Sequence, residues 1–259
     1  MRMLVTGGTG VLGRVVVTQA LDGGHDVTVM TRRHEAELPA GAVLATADVL
    51  EPGSLGKALA GIDVVIHLAT DPRGDAYTTE VEGTRNLLAA CSGAGTSHIV
   101  YVSIVGVDRI PLSYYRAKQG AEGAVEKGPI PWTILRATQF HNLIVGALEM
   151  ASKKLPVLPV PKGFRFQVLD TSDCARRLIE LAEGDPAGRA GDIGGPEVRP
   201  IEELARSFAT FTGTSKRVIR LPTFGKKAKA FRAGGNLSPE NTYGTVTFEE
   251  FLDRRGAEK

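Results

Sequence analysis

The sequence predicts an α/β protein built on a doubly wound parallel sheet, with a smaller C-terminal lobe. Three observations carry that expectation. Short β-rich runs alternate with helical periodicities across roughly the first 140 residues. Several of these runs, "MLVT" and "DVVIHLA" among them, are almost continuously apolar, as strands are when helices cover both faces of a parallel sheet. A glycine-dense stretch, "TGGTGVLG" at residues 6–13, stands directly between the first strand and the first helix.

The elements follow in order. "MLVT" is the first strand, and a helix runs from Gly10 to Leu21 with Val11, Leu12, Val15, Val16 and Ala20 on its apolar stripe. "HDVTVMT" and "AVLATADV" are strands two and three, followed by a short helix near Leu55–Leu59 and "DVVIHLA" as strand four. A longer helix, Thr78 to Ser92, carries Val81, Thr84, Leu87, Leu88 and Cys91 on one side. "HIVYVSIVG" is strand five, a helix starts at Ser113, and "PWTILRA" is strand six. Beyond Phe140, Pro- and Gly-rich segments such as "KKLPVLPVPKG" and "DIGGPEVRP" are interrupted by helices near Thr171–Glu183 and Ile201–Gly213. That change divides the chain into a core, residues 1–156, and a smaller lobe, 157–259, whose strands partly return to the main sheet.

Composition narrows the functional classes. A chain of 259 residues with 42% hydrophobic and 23% charged side chains matches a soluble globular protein. A net charge of +2 is too small to argue for a nucleic-acid or membrane partner, and neither is expected. The one basic cluster, "KKAKAFR" at 226–232, reads as a solvated helix face. Cys91 and Cys174 lack metal spacing and read as buried free thiols of a reducing compartment. The histidines at 25, 34, 67, 98 and 141 form no i,i+4 pair, so no metal is expected. No apolar run approaches the roughly 20 residues of a membrane span. The opening "MRMLVTGG" reads as a strand entering a turn, which predicts no leader peptide and a cytoplasmic location. No Gly-x-Ser-x-Gly elbow supports hydrolase chemistry.

The glycines at 7, 8, 10 and 13 have a specific chemical use. A Cβ in such a loop blocks the tight turn and the approach of backbone amides to a pyrophosphate, while the helix N-terminus offers unpaired N–H groups and partial positive charge. Strand two ends "VMTRRHE", placing Thr31 where an NAD site carries an acid, followed by Arg32 and Arg33. Two guanidinium groups suit a 2′-phosphate, so NADP(H) is the expected cofactor.

The glycine loop, "AD" at 47–48, "DVVIHLA", the Tyr114–Lys118 spacing and "TILRATQFHN" together resemble the short-chain dehydrogenase/reductase superfamily, and most closely its atypical NmrA-like branch. The resemblance extends over essentially the whole chain and implies a Rossmann fold. It implies that Thr6, Gly7, Gly8, Thr9, Gly10, Val11, Leu12 and Gly13 hold the pyrophosphate, that Asp48 and Val49 contact adenine, and that Leu68 and Ala69 line the cofactor cleft.

"SIVGVDRIPLSYYRAK", 103–118, holds the expected chemistry. Ser113 can cap a helix that begins at Tyr114, and i,i+4 spacing puts Lys118 on the same face. A nearby ammonium and the helix N-terminus both favour phenolate, which predicts a lowered tyrosine pKa. Tyr115, at i+3 from Lys118, satisfies the same physics; the superfamily spacing selects Tyr114. By that resemblance Tyr114 protonates the substrate oxygen, and Lys118 binds the nicotinamide ribose and tunes the tyrosine. Ser103 takes the first of two serine positions often found at the end of strand five, with Ile104 at the second. Phe140, His141 and Asn142, just past strand six, are substrate-pocket candidates by position, and Phe164 and Phe166 read as core. The expected activity is NADP(H)-dependent reduction of a small, fairly apolar carbonyl, enone or quinone by a monomer or dimer. The alternative is an NADP-binding redox sensor without turnover.

Overall fold

The computed structural model describes residues 1–71 and 75–257. A seven-stranded parallel sheet comprises β1 (Arg2–Thr6), β2 (Asp26–Thr31), β3 (Val43–Thr46), β4 (Val64–His67), β5 (His98–Ile104), β6 (Trp132–Ala137) and β9 (Gly188–Arg189). Its order is β3-β2-β1-β4-β5-β6-β9, so the winding reverses between β1 and β4. Ligand crevices of doubly wound sheets open at such a reversal, beyond the carboxyl ends of the strands. The helices that wind this sheet are α1 (Val11–Asp22), α2 (Pro52–Leu59), α3 (Gly83–Ala94), α4 (Ser113–Glu126) and α6 (Thr171–Glu183).

Two compact units divide the chain. The first holds Met1–Ser103, Ser113–Arg136 and Cys174–Gly191; the second holds Ile104–Leu112, Ala137–Asp173 and Asp192–Lys259. The chain therefore passes back and forth between units instead of dividing once at 156/157. The first unit's core joins Leu4, Leu55, Leu59, Val65, Leu87, Ile99, Tyr101 and Ile134, all at or near zero exposure. The second unit contains α5 (His141–Lys154), α7 (Ile201–Thr212), α8 (Gly225–Arg232) and α9 (Phe248–Ala257). It also pairs β7 (Leu158–Pro161) with β11 (Val218–Leu221) and β8 (Arg165–Phe166) with β10 (Arg199–Pro200). Its core gathers Ile144, Leu148, Leu158, Leu204, Phe208 and Phe248, with Phe164 and Phe166 packed at its margin.

Three elements differ from the sequence reading. The third strand is only four residues long. The 78–92 helix begins with a π turn, Thr78–Glu82, before α3 proper. Residues 141–154, read as loose, form a 14-residue helix that buries His141, Ile144, Val145 and Leu148 at i, i+3, i+4 and i+7.

A buried hydrogen-bond chain ties the centre of the sheet to α3. The Thr6 hydroxyl accepts the N–H groups of Leu68 and Ala69, both at 3.0 Å. Its own proton must then go to His67 Nδ1, 2.7 Å away. His67 Nε2–H donates to Thr84 Oγ1 at 3.1 Å, and Thr84 donates to the Glu80 carbonyl. The chain works only with a neutral imidazole. Burial, and next the Lys118 charge, lower the His67 pKa from 6.5 to about 4. The unfolded chain therefore takes up a proton below pH 6.5 that the folded chain refuses until about pH 4. Stability should fall through that window as pH drops, by about 3 kcal/mol at its lower end. Denaturant unfolding at a series of pH values should show this slope, and His67→Gln, less stable at neutral pH, should show a shallower one, the remainder coming from His98 and His141, which burial also lowers.

Candidate functional site

A cleft of about 300 Å³ opens at the winding reversal. Gly7, Thr9, Gly10, Arg32, Arg33, Asp48, Val49, Leu68 and Ala69 line it, as do Met30, Thr31, Ala47, Leu50, Thr70, Asp71 and Thr79. Gly7 has φ +67°, and a Cβ there would stand 2.8 Å from the Leu68 carbonyl oxygen. A Cβ on Gly13 would fall 2.1 Å from the Gly7 oxygen, so only glycine lets α1 start this close to the loop. Gly10 caps α1 without a side chain, and the first turn carries no acid, so its N-terminal dipole and amides are left for an anion.

The remaining loop residues shape the cleft without lining it. Thr6 is buried and spends its hydroxyl on Leu68, Ala69 and His67. Gly8 faces the Val29 and Val17 side chains, and Leu12 is buried in α1. Val11 is exposed on the first turn. Arg32 and Arg33 are both exposed, and among the described residues neither guanidinium pairs with an acid. Asp48 accepts the Leu50 N–H at 2.9 Å, holding its turn while lining the cleft.

The tyrosine and lysine are linked by two residues the sequence reading passed over. The Tyr114 hydroxyl lies 2.8 Å from Thr70 Oγ1, and Thr70 donates a short hydrogen bond to Glu80 Oε1. Glu80 Oε2 accepts from the Tyr101 hydroxyl at 2.9 Å and from Lys118 Nζ at 3.2 Å. Lys118 also lies over the Tyr101 ring, 4.2 Å from its centroid. Glu80 has no solvent exposure and Lys118 only 3%. α4 comes close enough for this pair because residue 120 is glycine: a Cβ there would meet Val81 at 2.9 Å.

Burial alone would raise the Glu80 carboxyl. The Lys118 charge and the Thr70 and Tyr101 hydroxyls outweigh it and hold the group below the ordinary carboxylate value. Tyr114 moves the other way from the expectation. Burial, then the Glu80 charge, push its phenol up to about 12. The expected tuning by Lys118 fails because the ammonium is spent on Glu80. Tyr115 is buried, its ring 6.5 Å from that of Tyr114.

Ser103 does not join this group. It is buried, its Oγ makes no hydrogen bond of ordinary geometry, and it faces Glu122. That carboxylate is held by Arg136 at 2.7 and 2.8 Å and by Arg189 at 3.0 Å. In the second unit, His141 is fully buried between Phe248 and Phe251 and donates Nε2–H to the Val246 carbonyl at 3.2 Å. It packs α5 against α9 instead of presenting its ring to open space. Phe140 caps α5 and is half-buried, and Asn142 keeps a buried Oδ1 without a partner. Among the described residues no cluster of His, Cys, Asp and Glu could hold a metal ion, and no helix is long and apolar enough to cross a membrane.

One sequence signal for Glu80 existed. Positions 80, 84, 87 and 91 are spaced four, three and four apart, so the acid falls on the buried stripe of its own helix.

The fold and cleft define a Rossmann-type dinucleotide-binding protein. A family model described as NAD(P)H-binding matches residues 7–157, and the chain belongs to that family, within the atypical, NmrA-like short-chain dehydrogenase/reductases. Photosystem II assembly factor Ycf39 of Trieres chinensis is 28% identical over 264 residues, 95% of this chain and 82% of that protein. The chloroplastic divinyl chlorophyllide a 8-vinyl-reductase of Oryza sativa subsp. indica is 28% identical over 248 residues, 85% of this chain and 61% of the reductase. The Escherichia coli NADPH-dependent quinone oxidoreductase QOR2, in complex with NADPH, shares the fold at a TM-score of 0.80 and 17% identity. That match covers 98% of this chain and 99% of the other.

The close approach at Gly13 generates a sharp test. Gly13→Ala should destabilise the fold by roughly 2 kcal/mol or more and remove measurable dinucleotide binding, read by thermal melting and by titration of nicotinamide fluorescence.

Proposed function

We propose that this protein is an NADPH-dependent oxidoreductase that delivers hydride to a small, fairly apolar carbonyl, enone or quinone. The observation that carries this reading is the Tyr114 hydroxyl, bonded to a residue of the cofactor cleft and kept protonated through neutral pH. The cradle at Gly7 and Gly10 and the open N-terminus of α1 fit a pyrophosphate, and the two free guanidiniums fit a 2′-phosphate. When bound, NADPH supplies the hydride. Asp48 and Val49, with Leu50 beside them, form the adenine end of the cleft, while Leu68, Ala69 and Thr70 line it beyond β4. Tyr114 holds the proton that the substrate oxygen needs as its carbon gains hydride. A phenol with a pKa of about 12 is fully protonated before the step; it is a weaker acid than an unshifted tyrosine but still a stronger one than the alcohol that forms from an alkoxide.

A second reading has its own observation. Lys118 is engaged by a buried carboxylate, and the relative Ycf39 bears the name of an assembly factor, which together favour a dinucleotide-bound regulatory protein without turnover. A sensor must distinguish oxidised from reduced cofactor, so NADP⁺ and NADPH affinities that differ at least about tenfold in the absence of any turnover would favour it.

Two measurements test the first reading. Arg32→Ala with Arg33→Ala should weaken NADPH binding at least about tenfold, ~1.4 kcal/mol, and leave NADH binding nearly unchanged. An unaltered NADPH/NADH ratio would remove the 2′-phosphate assignment. NADPH oxidation against ketones, enones and quinones should show turnover that drops about 100-fold or more in Tyr114→Phe. Turnover that survives the substitution would take the proton-donor role away from Tyr114.

A further inference from the structure

Glu80 is the least expected side chain in the first unit, and the hydrogen bonds around it have a forced direction. A carboxylate only accepts, so Thr70 must give its proton to Oε1. The Thr70 oxygen then has only lone pairs left for Tyr114, and the phenol must be the donor in the 2.8 Å bond between them. Lys118, on the other carboxylate oxygen, is fixed by the same group. One buried acid therefore determines where the phenol proton rests and where the ammonium sits.

We propose that Glu80 is a positioning residue of the active site: acting through Thr70 it parks the Tyr114 proton on the inner side of the phenol, and acting directly it holds Lys118 beneath the Tyr101 ring. The inference rests on the reading of Tyr114 as the proton donor. At rest the phenol oxygen offers lone pairs toward the cleft. Donation to a substrate oxygen requires the O–H to turn about the C–O bond away from Thr70, so the proton is released only when a better acceptor has arrived. The π turn at Thr78–Glu82 belongs to this device, since its wider spacing re-aims a side chain within a helix, a feature frequent at functional sites. Asp75 anchors its start by accepting the Thr78 N–H and hydroxyl at 3.1 and 2.6 Å.

The ionisable groups facing Glu80 are Lys118 and Tyr114 from α4, His67 from β4 and Tyr101 from β5. His67 is neutral at neutral pH, and Tyr101, raised by burial and by Glu80, stays a phenol. Removal of the Glu80 charge should therefore be felt at Tyr114 and at Tyr101, the two phenols that the carboxylate raises.

The test is an alkaline ultraviolet titration of phenolate in the full-length protein without cofactor. Glu80→Gln is compared with Glu80→Gln/Tyr114→Phe, and wild type with Tyr114→Phe, so that each difference isolates one phenol. Glu80→Gln should bring Tyr114 ionisation down by about one pH unit or more; Tyr101 loses the same charge, and the paired subtraction of Tyr114→Phe removes its contribution. If melting shows that Glu80→Gln does not fold because Lys118 is left uncompensated, Glu80→Gln/Lys118→Met removes both charges and should shift Tyr114 in the same direction, by less because the ammonium is gone as well. A Tyr114 phenol that titrates as in wild type in a folded variant overturns the proposal. The readout needs no turnover, so it separates this inference from the oxidoreductase reading. If the phenol shifts but no substrate is reduced, Glu80 positions Tyr114 in a protein of another activity. If it stays while Tyr114→Phe abolishes turnover, the enzyme stands and the role of Glu80 falls.

Discussion

A carboxylate without solvent exposure needs partners for its charge and both oxygens, and much of the first unit is arranged around meeting that demand for Glu80. Thr70, Tyr101 and Lys118 come from the loop after β4, from β5 and from α4, so three separate segments are pinned to one group. Stripping Lys118 from this pair would leave an unmatched buried charge, a change that typically costs about 3–5 kcal/mol. The same constraint explains why the sequence keeps Gly120 on α4: the helix has to pass close to Val81 for the ammonium to reach the acid. Electrostatics and backbone approach are thus a single requirement, and the phenol at the edge of the cleft inherits its protonation from it.

The cofactor cleft depends on a second chain of polar contacts that begins where the first ends. The Glu80 carbonyl accepts from Thr84, which accepts from His67, which accepts from Thr6 at the end of β1. Thr6 in turn fixes the N–H groups of Leu68 and Ala69, two residues of the cleft wall. The glycine loop and the proton-bearing helix are therefore connected through the strand ends at the winding reversal, where the sheet itself leaves room. A neutral His67 is the joint, and its neutrality follows from burial first and from Lys118 next.

Most of the fold and much of the cleft lining were legible in the sequence, because apolar runs and glycines at a strand–helix junction have few physical alternatives. Gly7, Gly10, Arg32, Arg33, Asp48, Val49, Leu68 and Ala69 all line the cleft. The helix at 141–154 was hidden because Gly146 interrupts it and Leu143 and Met150 face outward, which blurs the apolar stripe. The surroundings of Tyr114 and Lys118 were legible only in part. Spacing found Tyr114 and Lys118, but local physics gave the sign of the tyrosine shift the wrong way, because a single acid 34 residues before Tyr114 in the chain captures the lysine. No pairwise motif encodes that. Ser103 and His141 show the same limit: the first was placed at the end of strand five and the second just past strand six, but the neighbours that engage them, Glu122 and the pair Phe248 and Phe251, lie far along the chain.

The most direct test of the account is a crystal structure of the NADPH complex. The account predicts the pyrophosphate over Gly7–Gly10 at the start of α1, the 2′-phosphate between Arg32 and Arg33, and Lys118 still paired with Glu80 while Tyr114 stays bonded to Thr70. A dinucleotide bound away from this cleft, or a Lys118 that leaves Glu80 to grip the ribose, would contradict it.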